Sequence, residues 1–115
     1  MTQKRPRRVA PAHLAPPTAA WWREVVREYD LEAHHERLLT LAAEAWDRGQ
    51  EARVLLATEG IVDLDRFGQK RQHPAVAIER DSRLAFARLI RELGLDVEPP
   101  RETPRPRPLA IDAAR

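Results

Sequence analysis

The sequence predicts an all-α fold, and three observations carry that prediction. Apolar residues recur at helical spacing over 19–29, 30–59 and 74–93. Gly60 and Gly94 stand where the second and third of these stretches must stop, and a His73-Pro74 pair stands where the third must begin. The implied arrangement is a short N-terminal helix, then one long helix packed against a third as a helical hairpin. Between the last two lies an extended connector or a small β-hairpin.

The first helix is read over 19–29, with Thr18 as its N-cap. Trp21, Val25 and Tyr29 fall at i, i+4 and i+8, and Trp22 and Val26 widen the stripe. Adjacent tryptophans on so short a helix are a large apolar load, read as core rather than as a surface for ligand stacking.

Asp30 is the expected cap of the second helix, which runs to 59 and is about 43 Å long at about 1.5 Å per residue. Leu38, Ala42, Ala45, Gly49, Ala52 and Leu56 step by 4, 3, 4, 3 and 4, a heptad-like seam of mostly small residues. Small side chains let another helix approach closely. Gly49 costs about 1 kcal/mol relative to alanine in a helix interior, which makes it a candidate kink.

Residues 61–73 form the connector. Val62 and Leu64 alternate with Asp63 and Asp65, and Gly68 supplies a turn, a weak hairpin pattern. Pro74 suits the first position of the third helix, because its missing N–H needs no partner there. Ile78, Ser82, Ala85 and Leu89 make one row of that helix, widened by Phe86, Ile90 and Leu93, and Leu95 folds back past Gly94 to complete the C-cap. A third helix of about 28 Å cannot cover a second of about 43 Å. The first helix takes some of the excess, and the seam is assigned to a neighbouring subunit. Glu79 with Arg83 and Arg88 with Glu92 pair at i, i+4, which leaves Arg80 and Asp81 either solvated or facing that neighbour.

Composition bounds the rest. Within 115 residues, only 18–95 has the pattern of a folded body. A basic arm (1–17) and a Pro/Arg-rich tail (96–115) flank it, and both are read as disordered. A body of about 78 residues buries only about 60–65% of its unfolded-chain surface and needs help to be stable. With no cysteine, disulfides and thiolate metal sites are excluded, and subunit association is the first helper to expect. No apolar leader follows the basic N-terminus and no apolar run approaches a membrane span, so an intracellular soluble protein is expected.

The net charge of +2 is unevenly spread. Lys4, Arg5, Arg7 and Arg8 give the arm +4, whereas 30–59 holds seven acids against Arg37, Arg48 and Arg53, a balance of −4. Such an arm serves either as a grip on phosphate backbones or as a solubilising tail. Half of residues 99–108 are proline. In that tail, Arg105, Arg107, Leu109 and Ile111 make up either a docking peptide or part of a plain disordered end.

Catalytic chemistry is not legible. The glycines fall at turns, caps and one helix interior, so no phosphate-binding loop is present. His13 and His73 are isolated, and His34 and His35 point about 100° apart on a helix, which does not suit chelation. No metal, no cofactor and no enzymatic activity are expected.

The order WWREVVREYDLEAHHERLLTLAAEAWDR, then EGIVDLDRFGQKRQHPAVAIERDSRLAFARLIRELGL, resembles the small subunit of a tailed-bacteriophage terminase. It is most similar to a compact helical family with a His-Pro-Ala helix start and an Arg-Glu-Leu-Gly-Leu ending. His73-Pro74-Ala75, Glu79-Arg80-Asp81, Phe86 and residues 91–95 carry the likeness, which spans 13–95.

The resemblance implies a non-enzymatic packaging component in the host bacterial cytoplasm. It would form a homo-oligomeric ring, bind double-stranded phage DNA near the packaging start, and hand it to the terminase large subunit, the ATPase and nuclease. Some relatives also work with an HNH endonuclease. The helix-turn-helix of other terminase small subunits is not legible here. DNA contact is therefore assigned to Lys4, Arg5, Arg7 and Arg8 of the arm and to Arg66, Lys70 and Arg71 of the connector, repeated once per subunit. A small helical transcription regulator and a protein-only adaptor are the alternatives.

Overall fold

A computed structural model describes residues 8–96 of the chain. In order it contains α1 (Pro16–Glu28), α2 (Ala33–Glu59), β1 (Val62–Leu64), β2 (Lys70–Gln72) and α3 (Pro74–Leu93). The fold is the predicted one: α3 runs back along α2, and a two-stranded antiparallel hairpin stands between them.

Both helix starts differ from expectation. α1 begins at Pro16, with Pro16 and Pro17 in its first turn, where prolines leave no N–H unpaired. Thr18 is not its cap. The Thr18 hydroxyl and the Ala15 N–H (2.8 Å) both donate to the Asp47 carboxylate in the middle of α2. This acid from another element pins the start of α1 and places a carboxylate near the positive end of its dipole. α2 begins at Ala33 behind Glu32 rather than at Asp30, and the Glu32 N–H donates to His35 Nδ1 at 3.2 Å.

The folded body also begins before residue 18. Ala10 and Leu14 are buried with Trp22, Val25, Leu31, Leu39 and Ala43 in one apolar cluster, against which Leu93 and Leu95 pack. Trp22 is only 1% exposed, and its indole N–H donates to Thr40 Oγ1 at 3.2 Å, so this large ring is buried with its polar atom satisfied. The adjacent tryptophans are thus divided: Trp22 fills the core, while Trp21 is half-buried 5.9 Å from Phe86.

Covering α2 requires no second chain over most of its length. At about 1.5 Å per residue α2 is about 40 Å long and α3 about 30 Å. Residues 8–15 and α1 take up the difference, through Arg8 to Glu36 (3.2 Å), His13 to Glu44 (2.7 Å) and the Asp47 cap. Gly49 does not end α2, which is helical on both sides of it.

At the far end, Gly60 (φ +82°) turns the chain out of α2. Val62, Asp63 and Leu64 pair with Gln72, Arg71 and Lys70. The Asp65 carboxylate accepts from the N–H groups of Phe67 and Gln69, and Gly68 takes φ +78°, a left-handed conformation that glycine adopts without a Cβ clash. His73 ends the hairpin and caps α3. Its backbone N–H donates to the Ile61 carbonyl (2.8 Å), Nδ1 accepts from the Ala75 N–H (2.9 Å), and Nε2–H donates to Glu59 (3.0 Å). Two donors and one acceptor are thus satisfied by one buried histidine, and the proline after it starts the helix. Gly94 closes α3 at φ +77°, with the Leu95 N–H bonded to the Ile90 carbonyl.

Candidate nucleic-acid and subunit-contact surfaces

The hairpin carries the connector cations expected to meet DNA. Arg66, Lys70 and Arg71 are all exposed, but they are not equivalent. Arg71 lies 3.7 Å from Asp63, its cross-strand partner, so its charge is offset by a neighbouring carboxylate. Arg66 sits over the Phe67 ring at 5.2 Å, a cation–π contact that leaves its charge unneutralised. Lys70 has no ion-pair partner among the described residues and shares its strand face with Leu64. Phe67, 76% exposed at the tip, was not singled out from the sequence. The Asp-Arg-Phe-Gly turn signal contained it, since the residue before the glycine of such a turn has nothing to pack against.

The basic arm divides in two. Lys4, Arg5 and Arg7 lie outside the described residues. Arg8 is not a free cation: it donates to the Leu31 carbonyl at 2.9 Å and pairs with Glu36 at 3.2 Å, which clasps the N-terminal segment to the start of α2. Arg105, Arg107, Leu109 and Ile111, assigned to partner docking, also lie outside the described residues.

The seam assigned to a neighbouring subunit is occupied within the chain. Ala42, Gly49 and Ala52 are buried, Leu38, Ala45 and Leu56 are partly buried, and a Cβ added to Gly49 would stand 3.5 Å from the Ser82 Cβ of α3. Small residues do allow close helix approach here, but the helix that approaches is α3 of the same molecule. Arg80 and Asp81 are exposed and contact one another at 3.4 Å. The Glu79–Arg83 pair forms at 3.3 Å, whereas Arg88 and Glu92 form no pair.

Surfaces the sequence did not single out are those left bare by this packing. Val54 and Leu55 of α2, Ile61, Val62 and Leu64 of the hairpin, and Leu84 of α3 are exposed apolar residues. On the side of α2 turned away from α3, an open groove of about 930 Å³ runs beside the start of α1, lined by Pro17, Trp46, Val54 and Leu55 and edged by Glu44, Asp47 and Glu51.

Among the described residues, no three histidine or carboxylate side chains converge as a metal-ligand set, and no helix is long and apolar enough to cross a membrane.

No curated protein and no solved structure matches the chain. The family model described as phage terminase, small subunit, matches residues 19–101, which takes in most of α1 and all of α2, the hairpin and α3. This match covers well over half of the sequence, and the chain belongs to the phage terminase small-subunit family.

Proposed function

We propose that this terminase small subunit is a ring-forming, non-catalytic DNA-binding component that recognises the viral genome and delivers it to the terminase large subunit. Small subunits of this family are generally non-catalytic, and their role implies partnership with DNA and the large subunit. The observation that carries the DNA-binding part is the projecting hairpin. Arg66 and Lys70 present unneutralised charge beside an exposed aromatic ring, on a turn whose backbone the Asp65 carboxylate holds in place. Binding through so few cations is weak per subunit. Repetition around a ring raises the local concentration of such contacts without changing any one of them.

The experiment is duplex binding by wild type and Arg66→Glu/Lys70→Glu across a salt series. Each lost phosphate contact reduces the slope of log K against log salt by about 0.9. Weaker binding with a slope shallower by about 2 is expected. Unchanged affinity and unchanged slope would remove the hairpin from the DNA interface.

A further inference from the structure

The side of α3 turned away from α2 is an arginine-rich ridge, in which Arg80 and Arg83 pair along the helix with Asp81 and Glu79 while Arg88 and Arg91 do not. Ser82 marks the inner side, and opposite it Arg80, Leu84, Ala87 and Arg91 step by 4, 3 and 4, all exposed, with Arg83 and Arg88 alongside. Among the described residues Arg88 and Arg91 have no ion-pair partner, and the exposed acids flanking the ridge are Asp81 and Glu92. Leu84, 56% exposed, lies at the centre of the ridge. Arg88 and Arg91 thus leave unpaired positive charge beside a bare leucine.

The opposite side of the molecule has the complementary character. The last third of α2 is bare on the side away from α3, because α1 and the N-terminal segment reach along it only as far as Asp47. Val54 (65% exposed) and Leu55 (44%) form the apolar floor of the 930 Å³ groove, and its charged edge is acidic on balance: Glu44, which His13 contacts at 2.7 Å, Asp47 and Glu51 against Arg48. Asp47 accepts from the Ala15 N–H and the Thr18 hydroxyl, and Glu51 has no partner among the described residues.

These surfaces point in opposite directions, so they cannot meet within one chain. We propose that the arginine ridge of α3 docks in the apolar, acid-edged groove of α2 on a second copy of this chain, with Leu84 placed on Val54 and Leu55. The contact is a helix in a groove. It is head-to-tail rather than two-fold, because a two-fold contact would set arginines against arginines or carboxylates against carboxylates. A head-to-tail contact leaves one ridge and one groove unfilled until the assembly closes, which is the condition for a ring. Charge matching and the central apolar contact favour a second copy over nucleic acid on this ridge, since a phosphate backbone has no use for the bare leucine. The inference rests on the ring-forming reading and specifies the surfaces that would make the ring.

The test uses full-length chains and native mass as the readout, with circular dichroism to check folding. Wild type should assemble, while Glu44→Lys/Glu51→Lys and Arg88→Glu/Arg91→Glu should each fall to the 13.2 kDa monomer. An equimolar mixture of the two variants should reassemble, because the arginine ridge of the first fits the acidic groove of the second and the reversed pair fits as well. If a charge reversal unfolds the chain, Arg88→Gln/Arg91→Gln replaces it and should still reduce the assembled fraction. Assembly of wild type and variants alike would overturn the surfaces but leave the ring standing, whereas a monomeric wild type would overturn both. Failure of the mixture to reassemble would overturn the pairing. Loss of duplex binding by Arg88→Glu/Arg91→Glu with assembly intact would give the ridge to DNA instead.

Discussion

Replacing Gly49 with alanine should stabilise the fold, although Gly49 is buried where two helices meet. In a helix interior, glycine is about 0.8–1.0 kcal/mol less favourable than alanine. The new methyl group would meet the Ser82 Cβ at 3.5 Å, an ordinary van der Waals separation, so the propensity gain is not consumed by a clash. One buried carbon contributes up to about 0.8 kcal/mol if it displaces water and less if it fills space already dry. The net gain is therefore about 1 kcal/mol, which for a body of this size raises the melting temperature by about 4–8 °C. Gly49→Leu is the control. Its side chain has no room between α2 and Ser82, and forcing the helices apart should cost about 1–3 kcal/mol. Far-UV circular dichroism melts read both changes, at one protein concentration because assembly couples to stability. A Gly49→Ala protein that melts below wild type would show that α2 and α3 need a closer approach than this packing has, and would refute the reasoning.

Two further perturbations test the joints of the fold. Asp47→Ala removes the acceptor for the Ala15 N–H and the Thr18 hydroxyl, and should cost about 1–3 kcal/mol. The accompanying sign is a red shift of tryptophan emission as Trp22 is wetted, and an unshifted spectrum with an unchanged urea midpoint would show that α1 docks without this cap. His73→Ala removes the N-cap of α3 and should lower stability by about 1 kcal/mol, while His73→Asn, which retains a capping acceptor, should recover most of it. Equal urea midpoints for the alanine and asparagine variants would place the role of His73 in its bond to Glu59 rather than in the cap.

The helices of this chain were legible because their strongest signals are local. Pro74 and Gly94 act through the backbone of their own residues, and the α3 boundaries followed from them. Starts set by tertiary partners were not legible. Thr18 has the chemistry of an N-cap, but its hydroxyl is taken by Asp47, a residue of another helix, so the true start lay upstream in a Pro-Pro pair that read as tail. The same reasoning applies to Arg8, which counts as arm in any tally of charge and is a clasp once Leu31 and Glu36 are brought beside it. The 38–56 seam was identified correctly as a place of close helix approach. Spacing alone does not say whether the approaching helix belongs to the same molecule, and here α3 fills it. The hairpin showed because alternation and Gly68 coincide, whereas the α2 groove depends on where α1 stops, which no pattern within α2 records.

The bond from Glu59 to His73 has a consequence for the order in which the chain assembles. It joins the near ends of α2 and α3 across a short connector, so the first contacts between these helices close a small loop, and each later contact adds little further closure entropy. The pair can zip from this neck toward Leu39 and Leu93. The N-terminal segment has no such start, since its partners Glu36, Thr40, Glu44 and Asp47 share one surface only after α2 is helical. Residues 8–31 thus dock late in folding and separate early in unfolding, and their amides should exchange with solvent ahead of those at the centre of α2 and α3.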